Sequence, residues 1–309
     1  MSRPDLAASR PSDPHVPTAV ALAAAVISGS FVALQQQING DLGSSLHDPV
    51  LAAVVSFGTG LVLMCVLVVR AAPRMALPRL GALPWWTRLG GLGGATLVAV
   101  GATAAPQIGI ALLTVGLVTG STMGGLVVDR LGLGPGGHRA LTGPRVMSAL
   151  LCIVAIGVSA TGGQRSAKPL LLTLVIFAGV LICFQQAFNG RVRQATDATV
   201  ATFVNFVVGT TALLLVLGAR ELIVGLQIQT WPGLDRWYLY LGGPIGAAFV
   251  AVAAIVVRSL GVLRLGLAVT AGQLLGAVLL DLQQGVAGTT LIASGVTMGA
   301  VALSGWGQR

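Results

Sequence analysis

The chain is poor in charged residues. Asp, Glu, Lys and Arg make up 9% of its 309 residues, whereas a soluble globular domain carries about 25%. Hydrophobic residues make up 55%, and the mean hydropathy is +0.89. So few charged side chains cannot cover a surface in contact with water. The composition excludes a water-soluble domain and predicts an all-α integral membrane protein, because helices satisfy their own backbone hydrogen bonds in lipid.

Cysteine and histidine are scarce, with three of each. Cys65, Cys152 and Cys183 lie far apart within apolar stretches and form no CxxC pair. The histidines fall in terminal or loop segments without an HExxH pattern. This usage indicates cysteines that pack as small core residues, and it predicts neither a metal site nor any other cofactor.

Other function classes are disfavoured by what is missing. The sequence has no GxxxxGK[ST] loop, which excludes ATP binding of that type within this chain. No nucleophile, acid pair or metal set lies in the middle of an apolar stretch, so we expect no enzyme. The net charge of +9 comes from basic residues scattered between apolar runs, which argues against nucleic-acid binding. Aromatic residues are only 5%, which disfavours an aromatic cage for quaternary cations.

Apolar runs long enough to cross a bilayer recur along the whole chain. A helix needs about 20 apolar residues for one crossing, and we identify ten such runs. They fall into two groups of five on either side of the short polar segment 162–168. The predicted spans are 18–39, 49–70, 86–105, 107–128, 144–161, 169–189, 198–219, 237–257, 261–281 and 288–306.

Three sequence patterns occur twice, at shifts of 149 to 152 positions. Nearly equal shifts spread over half the chain indicate a duplicated unit of about 150 residues. Duplicated membrane units are typical of secondary transporters. The matched pairs are QQQING at 35–40 with QQAFNG at 185–190, SFGTG at 56–60 with NFVVG at 205–209, and GGLGG at 90–94 with GGPIG at 242–246.

Basic residues predict the orientation of the spans. With the N-terminus inside, the cytoplasmic segments hold 14 of the 18 basic residues, which fits the excess of Lys and Arg in cytoplasmic loops. Five spans per copy is an odd number, so the second copy enters the membrane from the opposite face. We therefore expect inverted repeats. The predicted divisions are a disordered cytoplasmic tail at 1–17, repeat 1 at 18–161 and repeat 2 at 169–306.

The repeated motifs resemble a known family. A glutamine-rich helix followed by Asn-Gly and then S-F-x-x-G is similar to the YdcZ-like branch of the drug/metabolite transporter (DMT) superfamily. The resemblance covers nearly all of the chain after the tail. It implies a DMT/EamA-like fold of two fused five-helix units in the bacterial inner membrane. Small multidrug exporters of this superfamily carry a glutamate in their first span, and spans 1 and 6 here have no acidic residue.

Polar side chains repeat near the ends of the duplicated motifs. Amides donate and accept hydrogen bonds, so they suit a neutral or zwitterionic solute. We interpret them as lining a substrate pathway or forming two gates, one near each membrane face, with helix packing as the alternative. The asparagines, each followed by glycine, are also predicted to end their helices. These candidates are Gln35, Gln36, Asn39 and Ser56 in the first copy and Gln185, Gln186, Asn189 and Asn205 in the second.

The centres of spans 4 and 9 carry a second set of candidates. Thr119, Ser121, Thr270 and Gln273 are the predicted midplane polar groups. The alternative is a small-residue packing seam, which is common between membrane helices and would bring spans 4 and 9 together. The seam residues are Gly120, Gly124, Gly272 and Gly276.

Asp129 and Asp281 form an acidic pair that the two copies share at a shift of 152 positions. They are candidates for ion or proton coupling. Because they close spans 4 and 9, the alternative is that they are hydrated anchors at the membrane boundary.

The sequence thus favours a secondary transporter of small organic metabolites or drugs, with export as the expected direction. A non-enzymatic lipid-moving or structural membrane protein is the alternative. The predicted partners are a small-molecule substrate and the lipid bilayer. Homodimerisation is left open, and the substrate and coupling ion are not specified by the sequence.

The orientation is directly testable. Green fluorescent protein fused at either end of the chain should fluoresce and alkaline phosphatase fused there should be inactive, because an even number of crossings returns the chain to its starting face, the cytoplasm. Alkaline phosphatase and green fluorescent protein fusions measure this in intact bacteria. Termini found on opposite faces would rule out the ten-span inverted arrangement.

Overall fold

The computed structural model describes residues 17–71, 77–161, 168–225, 230–282 and 288–306. Most of the predicted tail at 1–17 lies outside the described residues, which are helical except for turns and short loops and contain no strand. The helices are α1 (Thr18–Leu46), α2 (Pro49–Ala71), α3 (Gly90–Ile108), α4 (Ile110–Leu131), α5 (Gly143–Thr161), α6 (Pro169–Ala195), α7 (Ala198–Val224), α8 (Gly242–Leu282) and α9 (Gly288–Trp306), with short 3-10 helices at Leu77–Ala82, Trp85–Leu89 and Leu234–Leu241.

Local sequence explains several helix boundaries. Asp197 caps α7 by accepting a hydrogen bond from the Val200 amide at 2.9 Å, as expected of an acidic N-cap. Gly109 separates α3 from α4 with φ 81° and ψ 162°, a conformation that L-residues with a side chain rarely adopt. Gly132 ends α4 in the left-handed region at φ 64°.

Seven of the described helical segments are long and apolar enough to cross a membrane by length and composition. Two further segments, Gly143–Val158 in α5 and Gly288–Leu303 in α9, are apolar but shorter. The seven are Thr18–Leu46, Pro49–Arg70, Trp85–Ile108, Ile110–Leu131, Pro169–Ala195, Ala198–Val224 and Leu265–Leu282.

The Asn-Gly motifs do not end their helices, which corrects one sequence prediction. α1 continues past Asn39 and Gly40 to Leu46, and α6 continues past Asn189 to Ala195. Gly40 serves close packing instead, because a Cβ there would lie 2.9 Å from Cβ of Ala105. A pattern that can terminate a helix is overridden here by packing.

The predicted spans 237–257 and 261–281 also differ from the observed elements. Residues 234–241 form a 3-10 helix, and the helical assignment then runs without a break from Gly242 to Leu282. A straight helix of 41 residues would be about 62 Å long, roughly twice the hydrocarbon thickness.

Contacts with α1 indicate that the path of α8 reverses. Gly246 lies against the side chain of Gln35, and Gly272 lies against Val26. These α8 positions would be about 39 Å apart in a straight helix, yet their α1 partners are separated by only about 14 Å. One cluster near the start of α1 contains residues from both parts of α8: Ala21, Ala25, Val256, Leu260 and Ala268.

Most of the large helix contacts join the first half of the chain to the second. α1 packs along α8, while α6 packs on α3 and α4. α2 packs on α7, and α5 packs on α9. The two halves are therefore interlocked, and neither α1 nor α6 finds its main partner within its own half.

Glycine residues make these contacts unusually close, and they do so at matching positions. Gly120 of α4 approaches the backbone carbonyl of Ile176 in α6, and Gly272 of α8 approaches that of Val26 in α1. A Cβ at Gly124 would lie 2.9 Å from Cα of Val180, and one at Gly276 would lie 2.9 Å from Cα of Ser30. These glycines pack on α6 and α1 rather than bringing α4 and α8 against each other.

A side chain at one of these contacts should destabilise the fold. Gly272→Ala places a methyl group inside the van der Waals radius of the Val26 carbonyl oxygen, which is backbone and cannot rotate away. Overpacking of this kind costs about 1–3 kcal/mol. We expect a lower melting temperature in a thermal unfolding assay of the detergent-solubilised protein.

Gly58→Ala is the matched control, because a Cβ at Gly58 in α2 would meet nothing within 4 Å. It should leave the melting temperature unchanged or raise it slightly. Equal melting temperatures for the two variants would contradict the close α1–α8 contact.

Candidate functional site

Polar side chains of α1 and α2 converge at the start of α8. Gln36, Asn39 and Ser56 are only 1%, 0% and 2% exposed. Asn39 and Ser56 both face Gly242, while Gln35 contacts Gly246 one turn further along α8. We call Gln35, Gln36, Asn39 and Ser56 the first polar cluster; all of them except Gln36, which faces Gly101 of α3, contact α8 of the other half.

Several atoms of this cluster have no hydrogen-bond partner among the described residues. They are both amide atoms of Gln36, both amide atoms of Asn39 and the hydroxyl of Ser56. A buried polar group without a partner costs about 1–3 kcal/mol. Such groups are rare in folded proteins, and here five of them belong to three side chains of α1 and α2.

The amide oxygens of the cluster lie over glycine. Oε1 of Gln36 faces Gly101 in α3, and Oδ1 of Asn39 faces Gly242 in α8. A Cβ at either glycine would require the amide to move away. Contacts between a Cα–H group and an oxygen are weak, so they compensate only partly for the missing hydrogen bonds.

The second polar cluster comprises Gln185, Gln186, Asn189 and Asn205, on α6 and α7. Asn189 donates a 3.0 Å hydrogen bond from Nδ2 to Oδ1 of Asn205. Its own oxygen faces Gly90, at the start of α3. Oε1 of Gln185 is buried without a partner among the described residues and lies beside Gly94.

The two clusters occupy corresponding positions in the two copies but differ in exposure. Asn39 and Asn189 face Gly242 and Gly90, glycines that occupy corresponding positions in the two copies. Gln36, however, is buried whereas Gln186 is exposed. Asn39 is likewise buried whereas Asn189 is half-buried. The same side-chain set therefore occurs in two different environments.

An aromatic pair joins α2 to α7 next to both clusters. The Phe57 ring packs on Gly209 of α7, and the Phe206 ring packs on Gly60 of α2. The ring centroids are 5.2 Å apart and the planes are tilted by 50°. Sequence reasoning noted these phenylalanines as part of a motif but gave them no role; their reciprocal contact with glycine depends on how the two halves pack.

Both clusters adjoin the aromatic pair. Ser56 precedes Phe57 in α2 and lies four residues from the middle of that helix, which corresponds to about 6 Å along its axis. A Cβ at Gly94 would lie 3.0 Å from Phe57 and 3.1 Å from Gln185, so the second cluster reaches the same ring. Members of both clusters therefore lie beside Phe57.

The four midplane candidates are placed differently. The Thr119 hydroxyl is buried and donates to backbone carbonyls of Val115 at 2.7 Å and Cys152 at 3.1 Å. The Ser121 hydroxyl donates to Val118. Thr270 lines an open, mostly apolar cavity of about 470 Å³ with residues of α1 and α9. Gln273, on the same helix as Thr270, is half-buried. The described contacts do not bring these residues into the polar clusters.

The two coupling candidates occupy unlike environments. Asp281 is 8% exposed and accepts hydrogen bonds from the backbone amides of Ile110 at 3.1 Å and Ala111 at 2.7 Å. It therefore caps α4 of the other half, which differs from a hydrated anchor. Asp129 forms an ion pair with Arg145 at the start of α5.

No group of three or more His, Cys, Asp or Glu residues that could hold a metal ion occurs in the part of the chain described above. The chemistry available at the polar clusters is therefore that of neutral hydrogen-bonding groups. Amide and hydroxyl groups can bind and orient a solute without forming or breaking covalent bonds.

These features define a helical multi-pass membrane protein whose two halves contribute equivalent polar clusters to one region. A family model described as "Putative inner membrane exporter, YdcZ" matches the chain twice, at residues 20–158 and 170–304. The chain belongs to this family, a branch of the drug/metabolite transporter superfamily, and carries its unit in two repeats. It is a multi-pass protein of the inner membrane. A comparison with curated proteins found no match.

Because the buried amide atoms of Gln36 are unpaired, replacing this residue should change the stability of the protein. Gln36→Met keeps the side-chain length and removes two buried polar atoms without partners, so it should stabilise the observed conformation. We expect the melting temperature of the solubilised protein to rise by about 2–4 °C. Gln186→Met changes an exposed side chain and should shift it by less than about 1 °C. A fall in melting temperature for Gln36→Met would instead identify Gln36 as a packing residue.

Proposed function

We propose that the protein is a secondary active transporter that exports small organic metabolites or drugs from bacteria by alternating access. In this proposal ten helical spans form two inverted five-helix repeats, and both termini lie in the cytoplasm. Family membership supports a membrane exporter in general terms. The mechanism, the substrate class and the topology are inferred from the residues and contacts described above.

The contacts of α8 with α1 support the ten-span topology, because the two parts of α8 run along α1 in opposite directions. Gly246 meets Gln35 and Gly272 meets Val26, which requires the chain to turn back between these glycines. A reversal within α8 divides it into two crossings. The second part of α8, Leu265–Leu282, is already one of the seven long apolar segments. Adding the first part of α8, α5 and α9 gives ten spans.

The observation that carries the proposed mechanism is the set of buried polar atoms without partners between the halves. Helix packing alone gives no reason to bury both amide atoms of Gln36 and Asn39 unpaired. A pathway that opens in turn does give one, because a solute or water would then supply the missing hydrogen bonds. The unpaired atoms thereby lower the stability of the closed state, so that it can open.

Alternating access needs two equivalent gates around one centre. The first and second polar clusters are suited to this role because they match in sequence and each includes the residue that precedes one ring of the Phe57–Phe206 pair. Their unequal exposure corresponds to one gate closed and the other partly open. Exchange of the two environments would convert one state into the other.

The side chains of the clusters restrict the substrate class. All eight are amides or hydroxyls without formal charge. They favour neutral or zwitterionic solutes with several hydrogen-bonding groups over compact cations. The coupling ion is assigned to neither carboxylate in this proposal, although Asp129 and Asp281 remain the paired candidates.

Transport in reconstituted liposomes tests the proposal. The probes are radiolabelled neutral amino acids, nucleosides and sugars, with ethidium as a cationic comparison, at two pH values. Gln36→Ala and Gln186→Ala should each lower the flux of a transported probe at least about tenfold, because each removes one gate amide. Leu150→Ala in α5, an exposed position remote from the clusters, is the control and should retain the flux.

Two results would overturn the proposal. Unchanged flux in both glutamine variants would remove the clusters from the pathway. Equilibration of a fluorescent phospholipid headgroup between leaflets, without flux of any solute probe, would identify a lipid-moving protein instead.

A further inference from the structure

An ion pair joins the two halves at one end of the contact between α2 and α7. Asp48 lies between α1 and α2, and its side chain is 3% exposed. Arg220, in the last turns of α7, donates from Nη1 to Oδ1 at 2.7 Å and from Nη2 to Oδ2 at 2.6 Å. Arg220 also donates to Glu221 at 2.5 Å. Two parallel bonds fix the orientation of the arginine as well as its distance.

Asp48 has a second role that can be separated from the first. Oδ1 also accepts hydrogen bonds from the backbone amides of Val50 and Leu51, both at 3.0 Å, and so caps α2. Burial opposes ionisation of Asp48, but hydrogen bonds from Arg220 and from these amides outweigh it and lower the pKa of the carboxyl. Asparagine can cap a helix equally well but carries no charge, so Asp48→Asn removes the ion pair and keeps the cap.

The opposite end of the same helix pair is built differently. α2 and α7 run antiparallel, as the contacts of Phe57 with Gly209 and Asp48 with Arg220 require. The same register places Arg70 opposite Asp197, the cap of α7 that corresponds to Asp48. Arg70 is exposed, and within the described ranges neither of these two residues is in an ion pair.

We propose that Asp48 and Arg220 are positioning residues for transport: their ion pair holds the first polar cluster closed and must break when that side opens. The inference rests on the proposed two-gate function. The corresponding contact between Asp197 and Arg70 forms in the opposite state, in which the second polar cluster is closed.

Location supports this role. Ser56 follows Asp48 by about two turns of α2, and Arg220 belongs to the half that supplies Gly242 to the same cluster. In the cluster next to the intact pair Gln36 and Asn39 are buried. At the end without a pair the corresponding Gln186 is exposed and Asn189 is half-buried. Arg220 is 31% exposed, so water can solvate the guanidinium when the pair separates, and the contact remains reversible.

Cysteine labelling of the purified full-length protein in lipid nanodiscs tests the proposal without a known substrate. The background replaces Cys65, Cys152 and Cys183 with alanine. One reporter is Ser56→Cys in the first cluster, and the other is Gln186→Cys, at an exposed position of the second. The probe is a bulky, water-soluble maleimide, which reaches both faces of a nanodisc.

We expect Asp48→Asn and Arg220→Gln each to accelerate labelling at Ser56→Cys at least about tenfold and to slow labelling at Gln186→Cys. The double variant should label no faster than the single variants, because they remove the same interaction. Asp197→Asn is the matched control: it makes the same change at the other helix cap and should not accelerate labelling at Ser56→Cys.

An unchanged rate at Ser56→Cys would overturn the proposal. So would equal acceleration at both reporters, because it would indicate general loosening of the fold rather than an exchange of states. The result is independent of the transport assay. Faster labelling at one reporter and slower labelling at the other would support the ion pair as a conformational link. If the Gln36→Ala and Gln186→Ala variants nevertheless kept their full transport flux, the clusters alone would be removed from the pathway.

Discussion

Close backbone contact between the two halves is the constraint on which the rest of the structure depends. In lipid, helices gain little from hiding apolar surface from water, so they associate through van der Waals packing and interhelical polar contacts. α1 reaches α8, and α6 reaches α4, because Gly272 and Gly120 leave room for a neighbouring carbonyl. The same absence of a side chain at Gly242 and Gly90 lets an asparagine amide lie directly against the opposite half.

This packing buries polar atoms that it cannot satisfy. The five unpaired atoms around Gln36, Asn39 and Ser56 oppose the stability that the glycine contacts provide. Two conformations of similar free energy are what a transporter requires, because solute binding can shift an equilibrium only by its differential affinity for the two states. A cluster that is buried by packing but lacks hydrogen-bond partners meets that requirement, because the two effects on stability oppose each other.

The two copies are alike in their contacts and unlike in their environments. Gln36 and Gln186 occupy corresponding positions, yet one is buried and the other exposed. Asp48 and Asp197 both cap a helix, yet within the described residues only Asp48 is held by an arginine of the other half. A duplicated sequence can place equivalent groups on both sides of a centre, while the conformation decides which side is closed.

The sequence by itself determined the medium, the duplication and the family, because these follow from composition and from local patterns that repeat at a constant shift. It also selected Asn39 and Asn189, each of which lies against a glycine of the opposite half. It misjudged the ends of α1 and α6, since an Asn-Gly pair permits a helix to end without requiring it. Only the tertiary structure decided that Phe57 meets Gly209, that Asp281 caps α4 and that Asp48 meets Arg220. Each of these contacts joins residues about 150 positions or more apart, and their geometry depends on how the two halves pack, which no local pattern encodes.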